Sequence, residues 1–214
     1  MSVILYGYRF SVYNRIVRLV LHEKEVGYSM NEVNPFTELD ASYLKLHPFG
    51  RVPVLSHNGF DIFETSAISR YIDSAFDGAP LRPANPQAAA RVDQVISIID
   101  NYGYWPMVRQ VFSQRVVRKI MGEPTDENEV CVGIEASRKV LSALNNISDE
   151  GYILDGSAIT LAECHLVPMM DYFTRAPEGL DELSLHPALQ LWWDQISRRD
   201  SVKLTDPDIS KFAS

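Results

Sequence analysis

Apolar and polar positions over the first 77 or so residues alternate between strand-like and helix-like patterns. The chain opens with a short β-forming run, Val3 to Tyr6, that ends at Gly7 and predicts a strand. After Ser11 the apolar positions recur at helical spacing, on one face of a predicted first helix: Val12, Ile16, Leu19 and Val20. Alternation returns over residues 28–33 and predicts a second strand that ends before Pro35.

Two further short strands and a helix complete this region. The apolar runs 52–55 and 61–63 are separated by His57-Asn58-Gly59, and an Asn-Gly pair between apolar runs predicts a β-hairpin. Residues 65–76 then follow helical spacing. The predicted order is β-α-β, a β-hairpin and a last helix, which indicates a small α/β layer.

A proline-rich joint separates this layer from a second region. Residues 78–86 contain three prolines and a glycine, a composition typical of a linker. Beyond it the pattern is helical. Pro86 opens a first long helix, residues 123–126 interrupt the pattern, a further helix ends near Asn146, and a last helix starts at Pro187. Residues 160–163 form a Thr-x-x-Glu capping box. We therefore expect domains at 1–77 and 86–214, joined by a linker at 78–85.

Composition and charge narrow the class of protein. The 214 residues include 20 Lys and Arg against 28 Asp and Glu, and a net charge of −8 weighs against nucleic acid as a partner. No uncharged apolar run approaches the roughly 20 residues of a membrane span, and the first ten residues do not have the pattern of a secretory leader. Two cysteines, 131 and 164, fit a reducing compartment. The expectation is a cytoplasmic protein without membrane contact.

Common catalytic signatures are missing. The sequence contains no G-x-S-x-G elbow, no G-x-x-x-x-G-K-[ST] phosphate loop and no G-x-G-x-x-G fingerprint. The histidines at 22, 47, 57, 165 and 186 have no H-x-x-x-H spacing, so we expect no metal site.

Three places in the first region do carry chemistry. Ser11 precedes the first helix, where a hydroxyl either caps the helix or donates to an anion held at its N-terminus. Pro53 lies at the start of a predicted strand, which predicts an edge position or a cis bond. Glu64 and Thr65 offer an acid and a hydroxyl at the start of the next helix. One molecule carrying a thiol, a carboxylate and an α-ammonium would satisfy all three places.

Ordered motifs along nearly the whole chain resemble those of the soluble glutathione S-transferases, especially their serine-dependent theta- and phi-like branch and its bacterial relatives. The segment from Tyr6-Gly7 to Ser11 is similar to the first strand and the serine-bearing turn of that branch. His47-Pro48-Phe49-Gly50-Arg51-Val52-Pro53 resembles its N-P-F-G-x-V-P segment, whose proline is cis, and residues 63–68 resemble F-E-S-x-A-I. The resemblance implies a thioredoxin-like α/β N-terminal domain followed by an all-α C-terminal domain.

The resemblance also implies roles for individual residues. Ser11 would hydrogen-bond the sulfur of glutathione and favour the thiolate. Val52 would pair its backbone with the cysteinyl unit, and Pro53 would hold that strand edge open. Glu64 and Thr65 would take the γ-glutamyl ammonium and carboxylate. Arg51, where the branch often has a neutral amide, would add a charge near a glutathione carboxylate.

Two positions keep alternatives open. The loop that usually supplies basic residues to the glycyl carboxylate reads Thr37-Glu38-Leu39-Asp40 here, so either Arg51 substitutes or glutathione binds with modest affinity. Other branches use a tyrosine near the end of the first strand to activate the thiol. Tyr6 is therefore the alternative to Ser11, although a place within the strand favours core packing for it.

The second substrate is expected in a cleft between the domains. The resemblance implies an apolar pocket in which Trp105, Arg109 and Phe112 share a helical face, kinked at Pro106. The full set of predicted pocket residues is Phe10, Tyr104, Trp105, Arg109 and Phe112. Such a wall favours a hydrophobic electrophile.

The predicted activity is conjugation of glutathione to such an electrophile, a detoxification chemistry, by a homodimer that uses glutathione as co-substrate and no cofactor. A non-catalytic or regulatory glutathione-binding protein of the same fold is the alternative that the acidic loop favours. A glutathione-dependent reductase or peroxidase is a third possibility, weakened because neither cysteine lies near the Ser11 turn.

Overall fold

The structure is a computed structural model that describes residues 2–212. The chain divides into two compact units. The first unit extends to Leu81 and includes the later segment Leu204–Pro207, and the second covers Arg82–Lys203 and the chain from Asp208 onward. The change from one unit to the other at Leu81 lies within the segment expected to be a linker, and the finer limits of that linker stay a prediction.

The first unit is built on a four-stranded mixed sheet. Its strands are β1 (Val3–Gly7), β2 (Ser29–Glu32), β3 (Val54–His57) and β4 (Phe60–Phe63). They lie in the order β2-β1-β3-β4, with β1 parallel to β2 and antiparallel to β3, and with β3 antiparallel to β4. Three helices accompany the sheet, and this βαβ-ββα arrangement confirms the predicted thioredoxin-like layer. The elements are β1 (Val3–Gly7), α1 (Val12–Glu23), β2 (Ser29–Glu32), α2 (Ala41–Leu46), β3 (Val54–His57), β4 (Phe60–Phe63) and α3 (Thr65–Ala75).

Local sequence signals account for most of these boundaries. Asn58 and Gly59 both have positive φ, 51° and 86°, as the predicted hairpin turn requires. The third strand starts at Val54 and not at Val52, and the cis Val52–Pro53 peptide lies ahead of the paired residues. Helix α2 was not predicted, since it is only six residues long and its N-cap, Asp40, makes no side-chain capping bond.

The core of this unit lies between the sheet and the helices. Helices α1 and α3 pack against each other, and the apolar stripe predicted for α1 is buried along its length. The fully buried side chains of the unit include Leu5, Ile16, Leu19, Leu21, Leu55, Ile68 and Ile72. Burial of these branched side chains fixes the orientation of α1 and α3, and therefore the position of the helix starts at Ser11 and Glu64.

The second unit is helical throughout its regular elements, as predicted. Two of its helices, α8 (Pro177–Ser184) and α10 (Asp200–Leu204), were not predicted, so the expectation that the last helix starts at Pro187 is wrong. The elements are α4 (Pro86–Ile98), a π-helical segment (Ile99–Val117), α5 (Arg118–Ile120), α6 (Glu127–Asp149), α7 (Leu161–Thr174), α8 (Pro177–Ser184), α9 (Pro187–Ile196), α10 (Asp200–Leu204) and a 3₁₀ turn (Ile209–Lys211). None of the helices in residues 2–212 combines the length and the apolar character needed to cross a membrane.

A widened helical ladder contains Pro106. The segment Ile99–Val117 bonds each amide five residues back, as the bond from the Arg118 amide to the Ser113 carbonyl illustrates at its end. Proline has no amide to donate and is disfavoured within an α-helix, and π-helical turns are a known alternative within long helices.

The capping box at the start of α7 is confirmed. The Thr160 hydroxyl accepts a hydrogen bond from the Ala162 amide at 3.1 Å, and Glu163 Oε2 accepts one from the Thr160 amide at 2.7 Å. The other carboxylate oxygen of Glu163 accepts a bond from the Leu154 amide at 2.8 Å. Both residues are buried, so the carboxylate links the start of α7 to the preceding loop.

Candidate functional site

Ser11 lies at the N-terminus of α1, immediately after the turn that follows β1. Its backbone is extended, with φ −75° and ψ 126°, and its hydroxyl oxygen accepts a hydrogen bond from the Asn14 amide at 3.3 Å. A serine hydroxyl has one hydrogen to donate in addition to its lone pairs. The cap uses only a lone pair, so the hydrogen remains available to an anion placed at the positive end of the helix.

The turn that carries Ser11 is held by the backbone and by Asn14. The Ser11 amide donates to the Tyr8 carbonyl at 2.9 Å, and Asn14 Nδ2 donates to the same carbonyl at 3.1 Å. A methyl group on Gly7 would lie 2.0 Å from Asn14 Oδ1, so only glycine fits at the end of β1. These contacts fix the position of the Ser11 hydroxyl relative to the sheet.

The segment before β3 presents an unpaired stretch of backbone. The register of β3 with β1 and β4 begins at Val54, so the peptide groups of Val52 lie outside the ladder, and Pro53 follows through the cis bond that the sequence motif predicts. The Tyr43 hydroxyl donates to the Arg51 carbonyl at 2.6 Å. Burial raises the pKa of Tyr43 to about 12, so the phenol keeps its proton and anchors this segment.

Glu64 and Thr65 form the start of α3. Glu64 is the N-cap residue with φ 71° and ψ 113°, an uncommon conformation for a residue with a side chain, and its carboxylate makes no capping bond. The Glu64 side chain is exposed to solvent. The first amides of this 11-residue helix have no side-chain cap and remain available as donors. Thr65 is 8 % exposed, and its carbonyl accepts a bond from Ser69 Oγ at 2.8 Å.

A cleft of about 390 Å³ brings two of the predicted residues together. It is lined by Phe49, Arg51 and Glu64, so a cation and an anion face the same space beside an aromatic ring. Arg51 and Glu64 are exposed, and Phe49 is 70 % exposed. A cleft of this composition suits a small ligand that itself carries an ammonium and a carboxylate.

His47 is buried beside Phe49, one of the residues that line this cleft. It is 2 % exposed, and its ring centroid lies 4.7 Å from that of Phe63 and 6.3 Å from that of Phe49. Its buried Nδ1 has no hydrogen-bond partner among residues 2–212. Burial lowers the pKa of His47, and Arg51 lowers it further, while Glu64 opposes both. The imidazole is therefore neutral at neutral pH.

Replacing His47 by asparagine is expected to make the free energy of unfolding depend less steeply on pH on the acid side of neutrality. The unfolded chain protonates His47 near pH 6.5, whereas the folded state resists protonation until a lower pH. The lowered pKa therefore contributes to the free energy of unfolding in full above about pH 6.5, the unfolded value. This contribution changes as the pH falls from there through the lowered pKa of the folded state, where the stability is lost. Urea unfolding at several pH values between about 5 and 8 measures this. Parallel profiles for the wild type and His47→Asn would contradict it.

Aromatic rings surround the Ser11 turn on the side of β1. Tyr6, the alternative thiol activator, packs within the sheet, with its ring centroid 6.4 Å from that of Tyr43, and this supports a core role for it. The Tyr8 ring makes edge contacts with Phe10 at 5.4 Å and with Phe36 at 6.0 Å. Burial, followed by the charge of Glu32, raises the pKa of Tyr8, so its hydroxyl stays protonated. Phe10 was predicted, whereas Tyr8 and Phe36 were not.

The predicted residues of the second unit do not share one helical face. Trp105 is 60 % exposed and Arg109 is exposed, but Phe112 is 3 % exposed and stacks on Tyr172 with ring centroids 4.1 Å apart. Positions seven apart align on an α-helix with 3.6 residues per turn, but the wider ladder of the π-helical segment carries the seventh position to another side. The shared face predicted for Phe112 is therefore wrong. Tyr104 is half-buried.

Several residues at the site were not predicted as site residues from the sequence. They are Tyr8, Asn14, Phe36, His47 and Phe49, and each is placed by contacts within the first unit. An alternation of aromatic and polar residues over residues 6–10 is the one local signal that could have indicated the aromatic group. The acidic loop that the sequence singled out is solvated, since Glu38 and Asp40 are both exposed.

Comparison with known proteins agrees with this arrangement. The family model "Glutathione S-transferase, N-terminal domain" matches residues 5–80, and "Glutathione S-transferase, C-terminal domain" matches residues 104–200. Glutathione S-transferase hmp2 of Hypomyces subiculosus is 32 % identical over 214 residues, covering 96 % of this chain and 98 % of that protein. The chain belongs to the glutathione S-transferase family.

Other members of the glutathione S-transferase family give the same result. Glutathione S-transferase F13 of Arabidopsis thaliana is 29 % identical over 216 residues, covering 98 % of this chain and 97 % of that protein. A structure of glutathione S-transferase III in its apo form superimposes with a TM-score of 0.84 at 26 % identity, over 98 % of this chain and 97 % of the other. These comparisons confirm the predicted family and fold.

Proposed function

We propose that the chain conjugates the thiolate of glutathione to a hydrophobic electrophile, with Ser11 as the residue that stabilises the thiolate. As a member of its family the chain is a glutathione-using transferase, and relatives from plants and a fungus bear the name glutathione S-transferase. The observation that carries the assignment to Ser11 is its hydroxyl, which caps α1 as an acceptor and keeps a hydrogen for donation.

The first unit would hold the three parts of glutathione. The thiol would lie at Ser11, the peptide groups of Val52 would pair with the cysteinyl unit beside Pro53, and the γ-glutamyl end would occupy the cleft. There Glu64 would take the ammonium, while Thr65 and Arg51 would take the carboxylate. Support comes from the cleft that Arg51 and Glu64 share and from the uncapped amides at the start of α3.

The chemical step needs few groups. A hydrogen bond from Ser11 and the positive end of α1 lower the pKa of the thiol, whose proton leaves to solvent. The thiolate then attacks an electrophilic carbon and a carbon–sulfur bond forms. In a substitution the bond from that carbon to the leaving group breaks; in an addition the π bond breaks, its electron pair moves to the adjacent atom, and solvent protonates that atom. Positioning and charge stabilisation supply the rate enhancement.

The electrophile would contact the side chains that the sequence predicts for its pocket. Phe10 supplies one ring beside the Ser11 turn, together with Tyr8 and Phe36. Tyr104 and Trp105 would supply apolar surface from the second unit, and Arg109 would supply a cation for a developing negative charge. Phe112 would support this apolar surface from within the second unit, where it stacks on Tyr172. An apolar wall of this kind suits a broad class of hydrophobic electrophiles.

Finer features of the proposal rest on the resemblance. We place the chain in the serine-type, theta/phi-like branch, because Ser11 stands at the helix start and the two cysteines lie in α6 and α7. Because both cysteines lie in the second unit, a glutathione-dependent reductase or peroxidase would have no cysteine in the first unit, which weakens that alternative. A cytoplasmic homodimer with domains at 1–77 and 86–214 completes the proposal, without a cofactor and with glutathione as co-substrate.

A conjugation assay tests the proposal. The purified chain is incubated with glutathione and a panel of aryl halides, epoxides and activated alkenes, and the thioether product is measured by mass spectrometry. We expect catalysed product from at least one hydrophobic electrophile, with saturable dependence on glutathione. Saturable binding of glutathione without any catalysed product would favour the non-catalytic alternative, and no binding would refute the proposal.

A further inference from the structure

Helix α2 is attached to the segment before β3 through one buried side chain. Of the six residues Ala41–Leu46, only Tyr43 is buried. Its ring packs in a cluster with the side chains of Val52 and Val54. Its hydroxyl donates a hydrogen bond to the Arg51 carbonyl at 2.6 Å. Tyr43 therefore contacts both residues of the Arg51–Val52 peptide, one through its hydroxyl and the other through its ring.

The Arg51–Val52 peptide joins this bonded carbonyl to an amide that is not bonded. The cis peptide of the segment is the next one along the chain, Val52–Pro53, so the Arg51–Val52 peptide is trans. A trans peptide is planar, and its C=O and N–H groups point in opposite directions. Because the Arg51 carbonyl points at the Tyr43 hydroxyl, the Val52 N–H points away from it. Among residues 2–212 the Val52 amide has no hydrogen-bond acceptor.

The Tyr43 hydroxyl fixes the direction of this amide and strengthens it as a donor. Burial raises the pKa of Tyr43 to about 12, so the hydroxyl keeps its hydrogen at neutral pH. A hydrogen bond to a carbonyl polarises the whole peptide group, so the N–H on its other side donates more strongly. Rotation of the peptide plane would break the bond to Tyr43. The Val52 N–H is therefore oriented before a ligand binds, which lowers the cost of binding.

From these contacts we infer that Tyr43 is a positioning residue, which orients the Val52 amide for the ligand without touching the ligand itself. The inference rests on the proposed function, in which the Val52 peptide pairs with the cysteinyl unit of glutathione. It also couples the ligand to α2. A ligand that accepts from the Val52 N–H polarises the same peptide and strengthens the bond from Tyr43 to the Arg51 carbonyl, so ligand binding and the attachment of α2 favour each other.

Tyr43→Phe tests the role of the hydroxyl, because phenylalanine keeps a ring in the cluster and removes the donor. Calorimetry should show that the variant binds glutathione about 5-fold more weakly, the change that corresponds to one hydrogen bond. The Val52 contact is the same in the bound thiol and in the transition state. KM for glutathione should therefore rise by a similar factor, while kcat changes by less than about 2-fold.

Tyr71→Phe is the matched control. The Tyr71 hydroxyl of α3 is hydrogen-bonded to His57 Nδ1 at 2.8 Å, so this variant also removes a phenol hydrogen bond from the first unit, but neither residue belongs to α2 or to the segment before β3. Both variants should lower the urea midpoint to a similar extent, and only Tyr43→Phe should weaken the binding of glutathione. An equal loss of affinity in both variants would show that reduced stability causes it and would overturn the inference.

Amide hydrogen exchange measures the coupling to α2. The His47 amide donates to the Tyr43 carbonyl at 2.9 Å and reports on the last turn of the helix. Saturating glutathione should slow the exchange of this amide by about 5-fold in the wild type and much less in Tyr43→Phe. Slowing of the same size in both proteins would contradict the coupling.

Failure of this inference and failure of the proposed function give different results. Wild-type affinity and wild-type KM in Tyr43→Phe would overturn the inference and leave the proposed function intact. Absence of glutathione binding by the wild type, shown to be folded by circular dichroism, would refute the proposed function and this inference together.

Discussion

Replacing Ser11 by alanine is expected to lower kcat/KM for conjugation by about 10²- to 10³-fold, the typical cost of removing one donor to a developing or stabilised anion. The Ser11 hydroxyl is the side-chain donor at the start of α1, where the thiolate would lie. Its removal leaves only the helix amides to stabilise the sulfur. Because the contacts to the γ-glutamyl end remain, KM for glutathione should change much less than kcat.

The same substitution removes a helix cap, so its structural effect needs a control. Asn85 caps α4 in the second unit by accepting bonds from the Gln87 and Ala88 amides at 2.9 and 3.1 Å. Ser11→Ala and Asn85→Ala should each lower the free energy of unfolding by about 1 kcal/mol, but only Ser11→Ala should lose activity. Equal activity losses in the two variants would attribute the effect to stability and remove Ser11 from the mechanism.

Replacing Glu163 by alanine is expected to lower the free energy of unfolding by about 3 to 4 kcal/mol, because it leaves buried amides without an acceptor. Glu163 is 1 % exposed and accepts bonds from the Leu154 and Thr160 amides and from the Thr160 hydroxyl. Glu163→Gln should be less damaging, since its carbonyl oxygen still satisfies one amide. Urea unfolding, monitored by circular dichroism, measures both.

An exposed glutamate at another helix start provides the comparison for Glu163. Glu127 begins α6 and is exposed, with a salt bridge to Arg115. Glu127→Ala should leave the urea midpoint nearly unchanged, because exposed ion pairs contribute little. A loss for Glu163→Ala no larger than that for Glu127→Ala would contradict the account of the capping box.

Much of the first unit could be predicted because its signals are local. The strand before Gly7, the capping Ser11, the Asn58-Gly59 turn and the helix after Glu64 each follow from short stretches of sequence. These stretches also contain Ser11, Glu64 and Thr65, three of the glutathione-binding residues that we propose. Helix α2 was not predicted, because six residues without a capping bond give no periodic signal.

Features that depend on contacts across the unit could not be predicted. His47 is neutral at neutral pH because burial lowers its pKa, and the ring that packs most closely on it, Phe63, comes from β4. Arg51 and Glu64 line the same cleft although they are 13 positions apart in the chain. The spacing alone does not predict that the two side chains face the same space. Phe112 was assigned to the wrong face because a 3.6-residue period was assumed where the ladder is wider.

The pKa of the thiol of bound glutathione, measured by ultraviolet absorbance of the thiolate in wild type and in Ser11→Ala, tests the central claim most directly. In the wild type we expect a pKa near or below about 7 for the bound thiol, as for thiols at helix N-termini. In Ser11→Ala we expect a return toward the ordinary value of about 8.5 while glutathione still binds. The same lowered pKa in both proteins would contradict the role of Ser11.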